Sequence, residues 1–257
     1  MNFSEITSVN NEIVKNTAKL QIKKHRKEAK LVVLEGEKSV FGAFEDGLKF
    51  DSVFVIDKEK YNDFINKTNA KIYYVNEKVM TKICSTSSIP TILALVNEPK
   101  YDISQFKNFK KIVLLDGIKD AGNLGTIIRS AIAFGIEGIL LHGECVDEFS
   151  SKVIRSSAGN IFKIPIIRLD DAKCLMENFK NTHKMIMTVV SPDAKDATEI
   201  NYNEPFILML GSEAHGLCNE LLNMDALKVT LKMENNVESL NLSVFAGIMF
   251  YIANHLK

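Results

Sequence analysis

Short apolar runs recur along this chain at intervals that suit strands separated by helices. Residues 31–34, 52–56, 71–75 and 91–96 are strand-like, with polar or helical segments between them, and a helical pattern covers 39–47. This pattern predicts a small α/β unit. From 97 to 110 the sequence turns polar around Pro99 and loses its periodicity, as a linker does. Beyond it, apolar runs at 112–115, 138–141, 162–167, 185–190, 206–210 and 229–233 alternate with helix-length segments. Connections of that length allow neighbouring strands to run parallel, and uninterrupted apolar runs indicate burial on both faces. The expected division is residues 1–97 as a small α/β domain, 98–110 as a linker, and 111–257 as a larger α/β domain with a largely parallel sheet.

Composition narrows the class. The chain has 257 residues, 46% of them hydrophobic and 25% charged, with 32 Lys+Arg balanced by 32 Asp+Glu. Such a mixture is that of a globular protein, and it excludes disordered and collagen-like chains. A net charge of zero leaves any nucleic-acid binding to local patches. The most basic stretch is 15–30, a helical-looking segment in which Lys15, Lys19, Lys23, Lys24, Arg26, Lys27 and Lys30 face only Glu28. It reads either as a solvated helix face or as a polyanion contact. Cys84, Cys145, Cys174 and Cys218 are scattered and form no CxxC, which argues against a zinc site or a disulfide framework and for a reducing cytoplasm. No basic-then-apolar leader is read at the N-terminus. The apolar stretch 242–253 is interrupted by Ser243 and Gly247 and is too short to span a bilayer.

Three segments carry candidate chemistry. The first, 116–129, follows a strand; Asn123 can cap the next helix, Ile127, Ile128, Ala131 and Phe134 can form its apolar face, and Gly135 can end it. Arg129 has no such structural role and should emerge near the strand's carboxyl end, where open α/β sheets bind ligands. The glycines do not form GxGxxG, so the dinucleotide fingerprint is absent. The second, 206–217, runs from an apolar strand into a loop. There Gly211 and Gly216 allow backbone to approach a flat ligand, and Glu213 is an acceptor or a helix-start charge. His215 is a lone histidine without a nearby nucleophile. The third, 231–243, leads to the terminal helix, which Ser239 or Asn241 can cap and which Leu242, Phe245, Ile248, Met249 and Ile252 can anchor. Polar loops after three strands of one sheet are how a composite site is built.

In combination these segments resemble the SpoU/TrmH group of SPOUT-class RNA ribose 2′-O-methyltransferases. Asn123-Leu124-Gly125-Thr126-Ile127-Ile128-Arg129 with Phe134-Gly135 is similar to that family's first motif, Leu210-Gly211-Ser212-Glu213 with Gly216-Leu217 to its second, and Glu238-Ser239-Leu240-Asn241-Leu242-Ser243 to its third. Leu34-Glu35-Gly36 and the α/β pattern around it resemble the ribosomal-protein-like RNA-binding domain often fused in front. The resemblance implies a C-terminal trefoil knot, S-adenosylmethionine as cofactor, and a homodimer that completes the active site. It implies catalytic roles for Asn123, Arg129, Glu213, Ser239 and Asn241, and cofactor contacts at Leu210, Gly211, Gly216, Leu231, Met233 and Leu240. RNA, with ribosomal RNA favoured, would lie on Lys23, Lys24, Arg26, Lys27 and Arg129; a transfer RNA 2′-O-methyltransferase and a knotted RNA-binding protein without catalysis are the alternatives. No metal is implied. Two positions depart from the pattern: Lys232 stands between Leu231 and Met233, and Ala121 follows Asp120, where the family usually has proline. Each missing proline loosens its loop by roughly 0.4–1 kcal/mol.

Overall fold

A computed structural model describes residues 3–234 and 239–255. Glu238 of the third motif lies outside them. The chain divides into two compact units, 1–100 with 147–162, and 101–146 with 163–257. In sequence, 147–162 falls inside the stretch expected for the second domain; in space it packs with the first.

The first unit runs β1 (Phe3–Ile6), α1 (Glu12–Lys19), α2 (Lys23–Ala29), β2 (Leu31–Glu35), α3 (Glu37–Glu45), β3 (Phe50–Val55), α4 (Asn62–Lys67), β4 (Lys71–Val75), α5 (Glu77–Ile83) and β5 (Ile92–Asn97). Its sheet has the order β1-β4-β3-β5-β2, with β5 antiparallel to both neighbours and the other pairs parallel. Val33, Phe54, Met80, Ile83 and Leu93 meet in its core. The apolar runs predicted β2 to β5. They did not show β1, whose four residues bury only Ile6.

The basic segment is two helices, not one. α1 ends at Lys19 with Leu20 as its C-cap, α2 begins at Lys23, and the break leaves the Leu20 carbonyl without its helical donor. The Arg26 guanidinium supplies one, at 2.6 Å, and also pairs with Asp147. Arg26 is therefore buried, which corrects its assignment as an RNA contact, whereas Lys23, Lys24 and Lys27 are exposed. Removing one partner of a buried ion pair leaves the other charge desolvated and uncompensated, at a cost of about 3–5 kcal/mol. Asp147→Ala is accordingly expected to destabilise this unit by that amount in denaturant unfolding, and Lys24→Ala by less than about 0.5 kcal/mol.

The second unit runs α6 (Ile103–Phe106), β6 (Lys111–Asp116), α7 (Ala121–Ala133), β7 (Gly138–His142), β8 (Ile166–Arg168), α9 (Ala172–Phe179), β9 (Lys184–Thr188), β10 (Lys195–Asp196), β11 (Phe206–Leu210), α10 (Asn219–Leu222), β12 (Leu227–Thr230) and α11 (Leu242–His255); between β7 and β8 the short helix α8 (Ser151–Ser156) belongs to the first unit. The sheet is seven-stranded, β10-β12-β9-β11-β6-β7-β8, and every pairing is parallel. Ile112, Leu114, Ile207 and Met209 point into one apolar layer with Phe106, Leu175 and Phe179, and the alternate residues Val113, Leu115, Leu208 and Leu210 are equally inaccessible. Burial on both faces is what the continuous apolar runs required. Gly138 opens β7 because the Phe106 ring fills the space a Cβ would need, 2.5 Å away.

Two strands differ from their predicted bounds, each for a local reason. The run 162–167 contains Pro165, which cannot donate to a ladder, so only the part after it forms β8, at the sheet edge. The run 229–233 ends as a strand at Thr230, and Leu231 and Met233 line a cavity instead. Among the described residues no helix is long and apolar enough to cross a membrane.

Candidate active site

At the carboxyl ends of β9, β11 and β12 lies a cavity of about 430 Å³. Its walls come mainly from four stretches: Thr188 to Val190 at the end of β9, the loop after β11, Leu231 and Met233 after β12, and Ser239, Leu240, Leu242 and Phe245 at the start of α11. Ligands of open α/β sheets bind at this end of the strands, where loops rather than the ladder are exposed.

The loop after β11 is a closed ring of backbone. Ser212 N–H donates to the Gly216 carbonyl at 3.0 Å and Gly216 N–H to the Ser212 carbonyl at 2.9 Å. Gly216 turns the chain with φ +65, and a Cβ on Gly211 would lie 2.0 Å from the Gly216 carbonyl carbon. Glycine at 211 is thus required by the loop's own fold before any ligand is considered. Glu213, Ala214 and His215 are exposed, Glu213 and His215 at the mouth of the cavity, and Leu217 returns to the core.

The loop is also clamped from beneath. Asp116, the last residue of β6, is buried and receives two N–H donors: His142 Nδ1 on Oδ1 at 2.8 Å, and the backbone N–H of Cys218 on Oδ2 at 2.7 Å. Burial pushes this carboxyl up, but the hydrogen bonds from His142 and Cys218 outweigh it and hold it below the usual carboxylate value. The same bond from Asp116 raises the imidazole of His142. An ionised carboxylate can only accept, so Nδ1 of His142 carries the proton.

Helix α7 presents the first motif. Asp120 is its N-cap, accepting from Asn123 N–H at 2.8 Å, and Gly135 follows its end with φ +72. The cap is therefore Asp120 and not Asn123, which leaves the Asn123 carboxamide free to work at both ends. Its Nδ2 donates to Glu213 of the second motif, and its Oδ1 accepts from Asn241 Nδ2 of the third at 3.1 Å. Asn241 in turn caps α11, accepting from Ser243 N–H at 3.0 Å and Val244 N–H at 3.4 Å. One side chain joins all three motifs.

The expected residues sort as follows. Gly211, Glu213, Gly216, Leu231, Met233, Ser239 and Leu240 line the cavity. Asn123 and Asn241 stand outside its lining and tie the loops together. Leu210 is fully buried as the last residue of β11 and does not line it. Arg129 is exposed on α7, two turns past Asn123, and has no hydrogen-bond or ion-pair partner among the described residues. Thr188, Val189, Leu222 and Phe245 complete the walls and were not foreseen, since an apolar run does not disclose where a strand stops and a wall begins. Asp116 and His142 carried a usable signal, a charged or polar residue closing an otherwise apolar strand.

Comparison with known proteins identifies the family. The SpoU rRNA Methylase family profile matches residues 110–251, and that of the MRM3-like substrate binding domain matches 11–94. The chain belongs to the SpoU rRNA methylase family. It is 31% identical over 256 residues to a Synechocystis protein named as an uncharacterized tRNA/rRNA methyltransferase, covering 98% of this chain and 93% of that one. It is 29% identical to the 23S rRNA (guanosine(2553)-2′-O)-methyltransferase RlmP of Bacillus subtilis, covering 99% and 100%. Among solved structures, an AdoMet-bound rRNA methyltransferase from Sinorhizobium meliloti superposes with a TM-score of 0.88 at 30% identity, covering 98% of this chain and 97% of that one. The SPOUT-type architecture expected from the three motifs is thereby shown, with a small α/β domain ahead of a parallel-sheet domain.

The Asp116–His142 pair has a pH signature. The lowered Asp116 contributes stability that is present above its ordinary value of 3.8 and lost as pH falls through its folded value. The raised His142 contributes stability that is present below its ordinary value of 6.5 and lost as pH rises through its folded value. Both contributions are complete only between those two ordinary values. The thermal midpoint of the wild type should therefore fall, relative to that of His142→Asn, as pH rises from about 6 to 9; parallel profiles for the two proteins would remove the pair from the stability balance.

Proposed function

We propose that this protein transfers a methyl group from S-adenosylmethionine to a ribose 2′-hydroxyl of RNA, with ribosomal RNA as the substrate. The observation that carries this reading is that residues of the second and third family motifs line one cavity while Asn123 of the first is hydrogen-bonded to both motifs. The donor set fits the cofactor: aliphatic and aromatic walls from Val189, Leu231, Leu240 and Phe245 suit an adenine and the methylene groups beside a sulfonium, and the backbone at Gly211 offers polar groups beside them. The bound sulfonium would supply an already activated methyl group, so the protein's task is mainly to position. Leu231, Met233 and Leu240 hold and exclude water, Glu213 and Ser239 face the cavity as polar contacts, and Asn123 and Asn241 fix the loops that present them.

Arg129 does a different task. Its guanidinium stays protonated at any working pH, so it is no general base; a planar fork of donors suits an RNA phosphate and the charge developing on the ribose oxygen. Lys23, Lys24 and Lys27, exposed on α2, add phosphate contacts that position RNA without reading its sequence. A second copy of the chain completes the site: α11 exposes Val244 (51%) and Tyr251 (49%) beside Phe134 and Ile248, an apolar groove on the helix that carries the third motif. The trefoil knot and a reducing cytoplasmic setting, with all four cysteines free, belong to the same reading.

The test is incubation with methyl-labelled S-adenosylmethionine and, separately, ribosomal and transfer RNA, followed by nucleoside analysis. Label should appear as a 2′-O-methylnucleoside in ribosomal RNA; label in transfer RNA alone would move the substrate, and no label with cofactor bound would leave a binding protein. Arg129→Ala should lower turnover at least about 100-fold, the scale on which one transition-state charge contact acts, while the helix, losing only an exposed residue, stays folded. Leu240→Trp should weaken cofactor binding at least tenfold by calorimetry. Light scattering should give twice the chain mass; a monomer at micromolar concentration would refute the shared site.

A further inference from the structure

We propose that Asp116 is a positioning residue for the cofactor: through the backbone N–H of Cys218 it fixes the exit of the glycine loop that forms one wall of the cavity. The inference rests on the reading that S-adenosylmethionine occupies that cavity. The loop is sealed at its own neck by the Ser212–Gly216 hydrogen bonds, yet nothing in that ring fixes its orientation over the sheet. Orientation comes from the Asn123–Glu213 hydrogen bond at its tip and from its two ends. One end is β11, and the other is Leu217-Cys218, where the chain leaves the wall and enters α10. Asp116 Oδ2 holds that second end at 2.7 Å.

The anchor itself is rigid. Asp116 and His142 are the last residues of β6 and β7, adjacent strands in register at these two positions. The Gly117 N–H donates to the His142 carbonyl at 3.0 Å, and the buried Cys145 thiol reaches the carbonyls of Leu115 and His142. Gly143 leaves room for the carboxylate: a Cβ there would lie 3.0 Å from Asp116 Oδ1. Asp116, itself 5% exposed, therefore has little freedom to follow a loop that moved, and a moved loop would leave half of a buried carboxylate unsatisfied. Asp116, His142 and Cys218 also place a carboxylate, an imidazole and a thiol within 4.8 Å of one another. Because Nδ1 of His142 carries the proton it donates to Asp116, that nitrogen offers no lone pair to an ion, and the trio acts here as a clamp.

Asp116→Asn keeps the shape but turns an NH₂ toward one of the two N–H donors. It should raise the KM for S-adenosylmethionine at least tenfold, leave kcat at saturating cofactor within about twofold, and leave the KM for RNA unchanged. His142→Asn places an amide N–H where Nδ1 stands and should keep the wild-type KM; His142→Leu, which removes that donor, should shift it in the direction of Asp116→Asn. Should Asp116→Asn fail to fold, the contrast between the two His142 variants decides. An unchanged cofactor KM in Asp116→Asn, or equal KM values in His142→Asn and His142→Leu, overturns the proposal, as does zinc titration showing one tightly held ion per chain that requires Cys218. Leu240→Trp separates the two readings: if it binds cofactor as the wild type does, the cavity reading fails and the clamp with it, whereas weakened binding there beside normal Asp116→Asn binding refutes the clamp alone.

Discussion

One side-chain amide, that of Asn123, joins segments 90 and 118 residues apart in sequence. An asparagine has one donor group and one acceptor, and here the donor goes to Glu213 and the acceptor to Asn241. Asp120 has taken over the capping of α7, which leaves this amide for both partners, and Leu124 and Gly125 are buried on other sides of the helix. Without such cross-links a wall made of four separate stretches would pay the ordering entropy each time a ligand arrived. The site is thus preorganised by polar contacts between loops and not by the apolar core below them.

The core sets where those contacts can form. A parallel sheet buried on both faces is rigid along its strands, so the carboxyl ends of β6, β7, β9, β11 and β12 form a fixed platform. Asp116 uses the platform to hold the second motif, and Asn123 uses it to hold the second and third together. The two missing prolines fall on this polar layer. Ala121 occupies the first position of α7, where proline would preset φ. Lys232 instead reaches Asp196 at 3.7 Å with most of its side chain exposed, a surface pair worth under about 1 kcal/mol.

Much of this was visible in the order of residues. The parallel sheet followed from apolar runs separated by helix-length segments, and the site's location from polar loops placed after three of those strands. What stayed hidden depends on contacts between distant positions. Asn123 looked like a cap because Asn caps helices locally; Asp120, three residues earlier, takes that role, and the bridge Asn123 makes instead depends on partners 90 and 118 positions away. Arg26 looked like one more cation in a basic run, and only the partner 121 positions away makes it a buried structural residue. Gly211 invited a ligand-based explanation, whereas its steric limit is the Gly216 backbone. The short β1 and the helix Ser151–Ser156, which packs with the first unit, likewise depend on tertiary context that periodicity does not encode.

The central claim is that loops gathered around Asn123 form a cofactor pocket. Diffraction from crystals grown with S-adenosylmethionine tests it most directly. The account predicts density for the whole cofactor between the Gly211–Gly216 ring, Leu231 and Leu240, with the Asn123 bridge to Glu213 and Asn241 intact. Cofactor seated elsewhere on the chain, or an Asn123 side chain released from both partners when the pocket is filled, would contradict it.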